Sequence, residues 1–254
     1  MNSSKKHEAV GTKPRIALPE PCSYDPEYSN RALPAYLRAV EAAGGEPVVI
    51  ALTSSPEEIA KIITSCSAIL LPGSKADVDP QKYNALKHPR TAPADRLRDA
   101  ADELLLQDAY NLHKPVFGIC YGLQSLNVWR SGTLVQHIQS QVNHSVGARV
   151  EVAHQVQINP DSLLAMASGE ADRQSIPVNS SHHQSAETVG DGLRVVARCT
   201  EDAIVEAIEG TQPEHYVLAV QWHPERGFEH DSASANLFRA FVQAAKQWAS
   251  SQAK

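Results

Sequence analysis

Apolar and polar residues alternate along this chain in blocks that predict strands and helices in turn. Arg15–Pro19 is an apolar run of strand length. Leu33, Tyr36, Leu37 and Val40 then recur at helical spacing, and Gly44-Gly45 supplies the stop. Pro47–Leu52 reads as a second strand. Ser55-Pro56-Glu57-Glu58 combines an N-cap, a first-turn Pro and a Glu three residues on, a capping-box signature. Ala68–Leu71 is a third strand ending in Pro72-Gly73-Ser74. β-α-β-α-β at such short spacing predicts parallel strands joined by right-handed crossovers. Gly73–Pro93 lacks periodicity and leaves the carboxyl end of a strand, where open parallel sheets place their sites; it is either a functional loop or a solvated connector. Asp95–Asn111 is an amphipathic helix on Leu97, Leu104, Leu105 and Ala109, leading into a strand at Val116–Ile119 and a helix at Tyr121–Trp129.

The second half predicts more strands than helices. Arg149–Val152 and Val156–Ile158 read as short strands, and Ser162–Ala167 as a short helix. Pro177–Ser181 leads into His182-His183-Gln184. Leu193–Cys199, Ile204–Glu209 and Tyr216–Trp222 are strand-like. Ser232–Ala249 is an amphipathic helix on Ala235, Leu237, Phe238, Phe241, Val242 and Ala245. With no repeats and no interdomain linker, residues 14–250 are expected to form one domain. Residues 1–13, MNSSKKHEAVGTK, read as a polar, disordered lead-in.

Composition narrows the function classes. The 254 residues are 42% hydrophobic and 20% charged, the balance of a globular chain with length enough for a sizeable core. A formal charge of −6 with scattered Lys and Arg argues against a nucleic-acid surface. No apolar run is long enough to span a bilayer, and the polar start lacks the apolar middle of a signal peptide, so a cytoplasmic protein is expected. Cys22, Cys66, Cys120 and Cys199 lie far apart without a C-x-x-C pair, which favours reduced thiols over a disulfide framework or a zinc knuckle.

Cys120 stands out because it falls on the join between a strand and a helix. Gly118 and Gly122 flank it in G-x-C-x-G, the thiol counterpart of the G-x-S-x-G elbow. A tight strand-to-helix turn needs small residues there, since a Cβ would collide with neighbouring backbone. The turn projects the sulfur beyond the strand and sets it at a helix N-terminus, where unpaired N–H groups face it. A thiol nucleophile needs a base, and the base an orienter. Among 11 His, one has the right context: the apolar run Val217–Val220 delivers Gln221-Trp222-His223-Pro224-Glu225. There Glu225 can bond one ring nitrogen of His223 while the other faces the thiol.

Taken together, Leu70-Leu71-Pro72-Gly73-Ser74, Gly118-Ile119-Cys120-Tyr121-Gly122-Leu123-Gln124 and Gln221-Trp222-His223-Pro224-Glu225 resemble the class I glutamine amidotransferase superfamily. Within it the chain is most similar to the γ-glutamyl-γ-aminobutyrate hydrolases. Asp77-Val78-Asp79-Pro80, Gly132-Thr133-Leu134, Ala42–Pro47 and Val178-Asn179-Ser180-Ser181-His182-His183-Gln184 carry that closer likeness. It extends from Pro14 to Phe241.

The resemblance implies an α/β three-layer sandwich with a mostly parallel central sheet, flavodoxin-like, plus extra antiparallel strands. It implies hydrolysis of a small-molecule γ-glutamyl amide, such as γ-glutamyl-GABA in polyamine breakdown, through a thioester on Cys120. His223 would be general base and then acid, and Glu225 its orienter. Backbone N–H groups of Ser74 and Tyr121 would meet the oxyanion. Ser74 stands where many relatives have a second Gly. Gly73, Gln124, His144, Ser145 and His183 match substrate-binding positions. Tyr121 departs from the Arg or Leu frequent in relatives and is expected to line the leaving-group side. The family uses no cofactor or metal; His182 and His183 have ligand chemistry, but the sequence suggests no third ligand. A homodimer is compatible with a soluble enzyme. Two alternatives share this scaffold: a glutaminase subunit feeding ammonia to a separate synthetase, and a non-catalytic binding protein.

Overall fold

The structure is a computed structural model that describes residues 13–252, so the expected lead-in lies almost wholly outside the described residues. Its strands are β1 (Arg15–Pro19), β2 (Glu46–Ile50), β3 (Ala68–Leu71), β4 (Val116–Ile119), β5 (Leu134–Val135) and β6 (His154–Ile158), followed by β7 (Ser175–Val178), β8 (Ser185–Ala186), β9 (Leu193–Cys199), β10 (Val205–Gly210) and β11 (Val217–Val220). The helices are α1 (Pro26–Ala42), α2 (Pro56–Thr64), α3 (Arg96–Leu112), α4 (Tyr121–Trp129), α5 (Leu163–Ser168) and α6 (Ser232–Gln252).

Nine strands form one sheet in the order β2-β1-β3-β4-β11-β10-β9-β6-β7. The half from β2 to β11 is parallel, and the half from β10 to β7 is antiparallel. Alternation within each parallel strand splits the core in two. Ile16, Leu18, Leu70, Phe117 and Leu218 face α1 and α6, packing on Tyr36, Val40, Phe238 and Phe241. Ala17, Ile69, Leu71, Val116 and Ala219 face the opposite layer, packing on Ile59 and Ile63 of α2, Leu105 and Leu106 of α3, and Leu123 and Leu126 of α4. Covered on both sides, β3 and β11 are continuous apolar runs, AILL and VLAV. This is the α/β three-layer sandwich expected.

The caps follow the local chemistry. Ser55 and Glu58 make the reciprocal bonds of a capping box at the start of α2. Asp95, expected as the first residue of α3, is its N-cap, accepting from the Arg98 N–H.

Two expectations differ from the structure. Arg149–Val152 is not a strand: it forms a turn in which Val150 N–H donates to Gly147 O, and Val150 and Val152 are both exposed. The pairing strand β6 begins two residues later, at His154, where β7 and β9 offer backbone partners. Leu97 lies on the solvent side of α3, whose buried stripe is Arg98, Ala101, Asp102, Leu105, Leu106 and Ala109. The stretch Gly73–Pro93, open between two readings, is packed in its first part and largely exposed over residues 84–90. Ala76, Val78 and Tyr83 bury themselves against Tyr121, Val128 and Leu134, with a short 3-10 turn at Pro80–Tyr83. The two-residue strands β5 and β8 pair antiparallel and were too short to register as periodicity.

Candidate active site

The neighbouring parallel strands β3, β4 and β11 end at one edge of the sheet, and each delivers one part of the site. β3 runs into Gly73-Ser74, β4 into Cys120, and β11 through Gln221-Trp222 into His223. The elbow is strained as its motif predicts: Cys120 has φ 54° and ψ −104°, a conformation that costs a non-Gly residue energy and persists only when its surroundings impose it. They do impose it. Cys120 N–H donates to Val220 O at 2.8 Å. A Cβ on Gly122 would lie 2.1 Å from Leu71 O, and one on Gly118 2.9 Å from Ala219 Cβ. The helix can therefore start only where it does, directly after Cys120.

His223 Nδ1 is 2.7 Å from Glu225 Oε1, in a pair almost wholly buried. Since the carboxylate accepts, Nδ1 carries the hydrogen and Nε2 is left for the sulfur. Burial opposes charge on the ring, but the Glu225 carboxylate and the Cys120 sulfur outweigh it and push the His223 pKa up to about 9. Burial likewise works to raise Glu225, and His223, helped by Arg226, instead holds it below the usual carboxylate range. A Cβ on Gly73 would come 3.0 Å from His223 Cε1 and 3.6 Å from Cys120 Cβ, so the three segments converge on one point.

The turn after β3 is clamped from both sides. Arg98, fully buried, donates through an Nη to Pro72 O at 2.6 Å, and Gly73 N–H donates to Tyr36 Oη at 3.0 Å. Both polar groups of the Pro72–Gly73 peptide are thus committed, while the Ser74 N–H has no partner among the described residues. Tyr121 N–H, at the first position of α4, is one of the unpaired donors of a helix start. These two are the N–H groups expected to serve as an oxyanion hole.

Asn179 holds the histidine's backbone. Its Nδ2 donates to His223 O at 2.8 Å, and its Oδ1 accepts from His223 N–H at 2.9 Å. Arg226 donates to Ser181 Oγ at 2.7 Å and lies 3.6 Å from Glu225. Sequence reasoning missed Arg98, Tyr36 and Asn179 as supports of the site. Only Asn179 left a signal, inside the VNSSHHQ segment.

The remaining predicted residues scatter. Gln124 is buried in α4 and donates to Gln184 O and Gln221 Oε1. Ser145 is exposed, its N–H capped by Asn143. His183 pairs with Asp77 on the loop after Gly73-Ser74. His144 does not offer its ring to a substrate: it is buried, with its nitrogens directed at Asp202 and Glu206. Tyr121 does not line the leaving-group side either. It is 1% exposed, its hydroxyl donates to Asp99 of α3, and its ring lies under the Arg98 guanidinium.

The Peptidase C26 family model matches residues 19–225, from the end of β1 through Glu225. The chain belongs to the Peptidase C26 family. Among curated relatives it is 32% identical to the γ-glutamyl-γ-aminobutyrate hydrolase PuuD of Escherichia coli, over 82% of this chain and 84% of that one. It is 33% identical to protein NtpR of Enterococcus hirae, a name that states no activity, over 82% and 87%. A solved structure described as a GMP synthase subunit from Thermoplasma acidophilum superposes with a TM-score of 0.67, covering 96% of this chain and 99% of the other at 13% identity. At that identity the likeness speaks for the fold. C26 membership makes the chain a hydrolase on the glutamine amidotransferase-like scaffold. Among the described residues no helix is long and apolar enough to cross a membrane.

Proposed function

We propose that the protein is a thiol hydrolase of γ-glutamyl amides of small amines, γ-glutamyl-GABA among them, acting through a γ-glutamyl thioester. The observation that carries the reading is Cys120 on a strained strand-to-helix turn, with the carboxylate-bound imidazole of His223 converging on it. Similarity to the E. coli hydrolase supports the substrate class.

The chemistry follows from the order of the groups. His223 Nε2 takes the thiol proton as Sγ bonds to the side-chain carbonyl carbon. The oxygen, now negative, is met by the Ser74 and Tyr121 N–H groups, neither of which has a partner among the described residues. As the C–N bond breaks, the imidazolium returns its proton to the departing amine. Water then attacks the thioester, His223 takes a proton from it, and collapse releases glutamate and the free thiol. Glu225 stabilises the imidazolium in both halves and fixes its tautomer.

The test is to incubate the purified chain alone with glutamine and a panel of γ-glutamyl amides and to follow free glutamate by mass spectrometry. Release from γ-glutamyl-GABA without a partner is the expected result. Glutamine turnover that appears only after a synthetase is added would make the chain an ammonia-supplying subunit instead. No release from any amide, with Cys120 inert to iodoacetamide, would make it a binding protein.

A further inference from the structure

The antiparallel half of the molecule contains a buried cluster that the proposed reaction does not use. Glu206, on β10 and fully buried, is surrounded by three imidazoles. His154 Nε2 lies 2.9 Å from its Oε1, His144 Nδ1 3.3 Å and His182 Nε2 3.5 Å. Only the first of these is a hydrogen bond. His144 Nδ1, His182 Nε2 and Glu206 Oε2 are buried atoms with no hydrogen-bond partner among the described residues.

The far side of each of the two unpartnered rings is anchored to an oxygen. His182 Nδ1 is 2.9 Å from the Gln184 carbonyl oxygen, which can only accept, so Nδ1 holds the hydrogen. His144 Nε2 is likewise anchored outward, 2.9 Å from Asp202 Oδ2. The inner nitrogens of both rings and Glu206 Oε2 thus face a common buried space with no hydrogen-bond partner among the described residues. An imidazole anchored outward to a carboxylate or a backbone carbonyl, with its other nitrogen aimed at a common point, is the arrangement of a metal ligand.

We propose that His144 Nδ1, His182 Nε2 and a carboxylate oxygen of Glu206 form a structural site for a borderline divalent cation of the zinc class. The three ligand atoms lie within 4.8 Å of one another. Two of the separations, 3.3 and 3.5 Å, are close to the edge of a tetrahedron drawn around zinc, about 3.3 Å for bonds of about 2.0–2.1 Å. Two nitrogens and one oxygen, all neutral or singly charged, suit zinc rather than calcium or magnesium, which prefer oxygen sets. His154 keeps the carboxylate oriented, and water completes the coordination. A second grouping, His144–Cys199–Asp202, shares His144 through its other nitrogen. Burial pushes the Cys199 thiol up to about 11, which disfavours the thiolate a metal needs.

The cation would fasten segments distant in sequence. His144 lies in the connection between β5 and β6, His182 between β7 and β8, and Glu206 on β10. The His182 segment also carries Asn179, which holds His223, and Ser181, which holds Arg226. The ion thus stiffens the support of the catalytic histidine without touching the reacting atoms.

The experiment measures metal rather than hydrolysis, so its outcome is independent of the substrate assignment. Untagged wild type and Cys120→Ser protein, grown with zinc, are assayed by elemental mass spectrometry; one zinc per chain is expected in both. Chelator-stripped wild type should melt earlier, recover on adding Zn2+, and with Co2+ show the visible bands of a tetrahedral N/O site that Zn2+ abolishes. His144→Asn/His182→Asn protein should bind neither ion. If that variant fails to fold, Glu206→Gln, which keeps the side-chain shape, takes its place. The proposal is overturned if stripped wild type takes up no stoichiometric Zn2+ or Co2+ and its melting is unmoved by either. Retention of the ion by folded protein lacking the two histidines, or its loss on Cys120→Ser alone, overturns it equally.

Discussion

At the scale of single residues the site separates groups that react from groups that hold. Cys120→Ser replaces a good nucleophile by a poor one, and His223→Asn removes the proton carrier. Each is expected to lower kcat on γ-glutamyl amides by roughly 10³-fold or more, because triad members act as a unit and losing one forfeits most of their joint effect. Steady-state kinetics on folded variants checks this, and a serine variant as fast as the parent would refute the mechanism. Tyr36 is a positioning residue. Its hydroxyl accepts from Gly73 N–H and so helps aim the next peptide, that of Ser74, at the oxyanion. Tyr36→Phe should cost about one hydrogen bond, a fall in kcat of about 3- to 10-fold with KM little changed. A larger effect on KM than on kcat would show that the hydroxyl binds substrate instead.

At the scale of elements, the glycines of the elbow decide whether α4 can start against β3. The contact a Cβ on Gly122 would make, 2.1 Å from Leu71 O, is with backbone of a central strand, which cannot give way cheaply. Gly122→Ala is therefore expected to destabilise the protein by about 3 kcal/mol or more, beyond ordinary overpacking. Urea unfolding measures it, and a change under about 1 kcal/mol would mean that the elbow is looser than described. The neighbouring helix α3 contributes differently. Arg98 lies on the buried stripe of α3 with Nε paired to Asp102 and one donor each from Nη1 and Nη2 given to Pro21 O and Pro72 O. One buried cation thus ties the ends of β1 and β3 together. A charged residue among apolar ones gives no periodicity signal for such a role.

At the scale of the whole molecule, the buried His223–Glu225 pair links stability to pH. The His223 pKa rises from 6.5 to about 9 on folding, so its stabilisation is whole below 6.5 and is lost as the pH rises toward 9. Glu225 is held below its ordinary 4.5, so its stabilisation is present above 4.5 and lost as the pH falls below that. The melting temperature of wild type should exceed that of Glu225→Gln most between those two ordinary values, with the gap closing at acid and alkaline ends. A gap that stays constant from about pH 4 to about pH 9 would contradict the assigned partnership.

What the sequence determined by itself was local. The alternating apolar blocks, the capping box at Ser55–Glu58 and the run from β4 into α4 each follow from a few neighbouring side chains and their backbone preferences. So did the bond between His223 and Glu225, two residues apart, and part of the demand on Gly118, where a Cβ would meet Gly122 backbone, whereas Gly122 answers to Leu71 of β3. Tertiary structure decided everything that depended on the order of strands. Neighbouring β3, β4 and β11 bring Gly73, Cys120 and His223 together from positions 73 to 223, and nothing in their spacing states that adjacency. The same holds for Tyr36 and Arg98 on the Gly73 turn and for Asn179 on His223. It also buried His144 against Asp202 and Glu206 and set His182 beside Glu206 of β10, because long-range sheet pairing, and not sequence distance, sets which polar groups share a buried space.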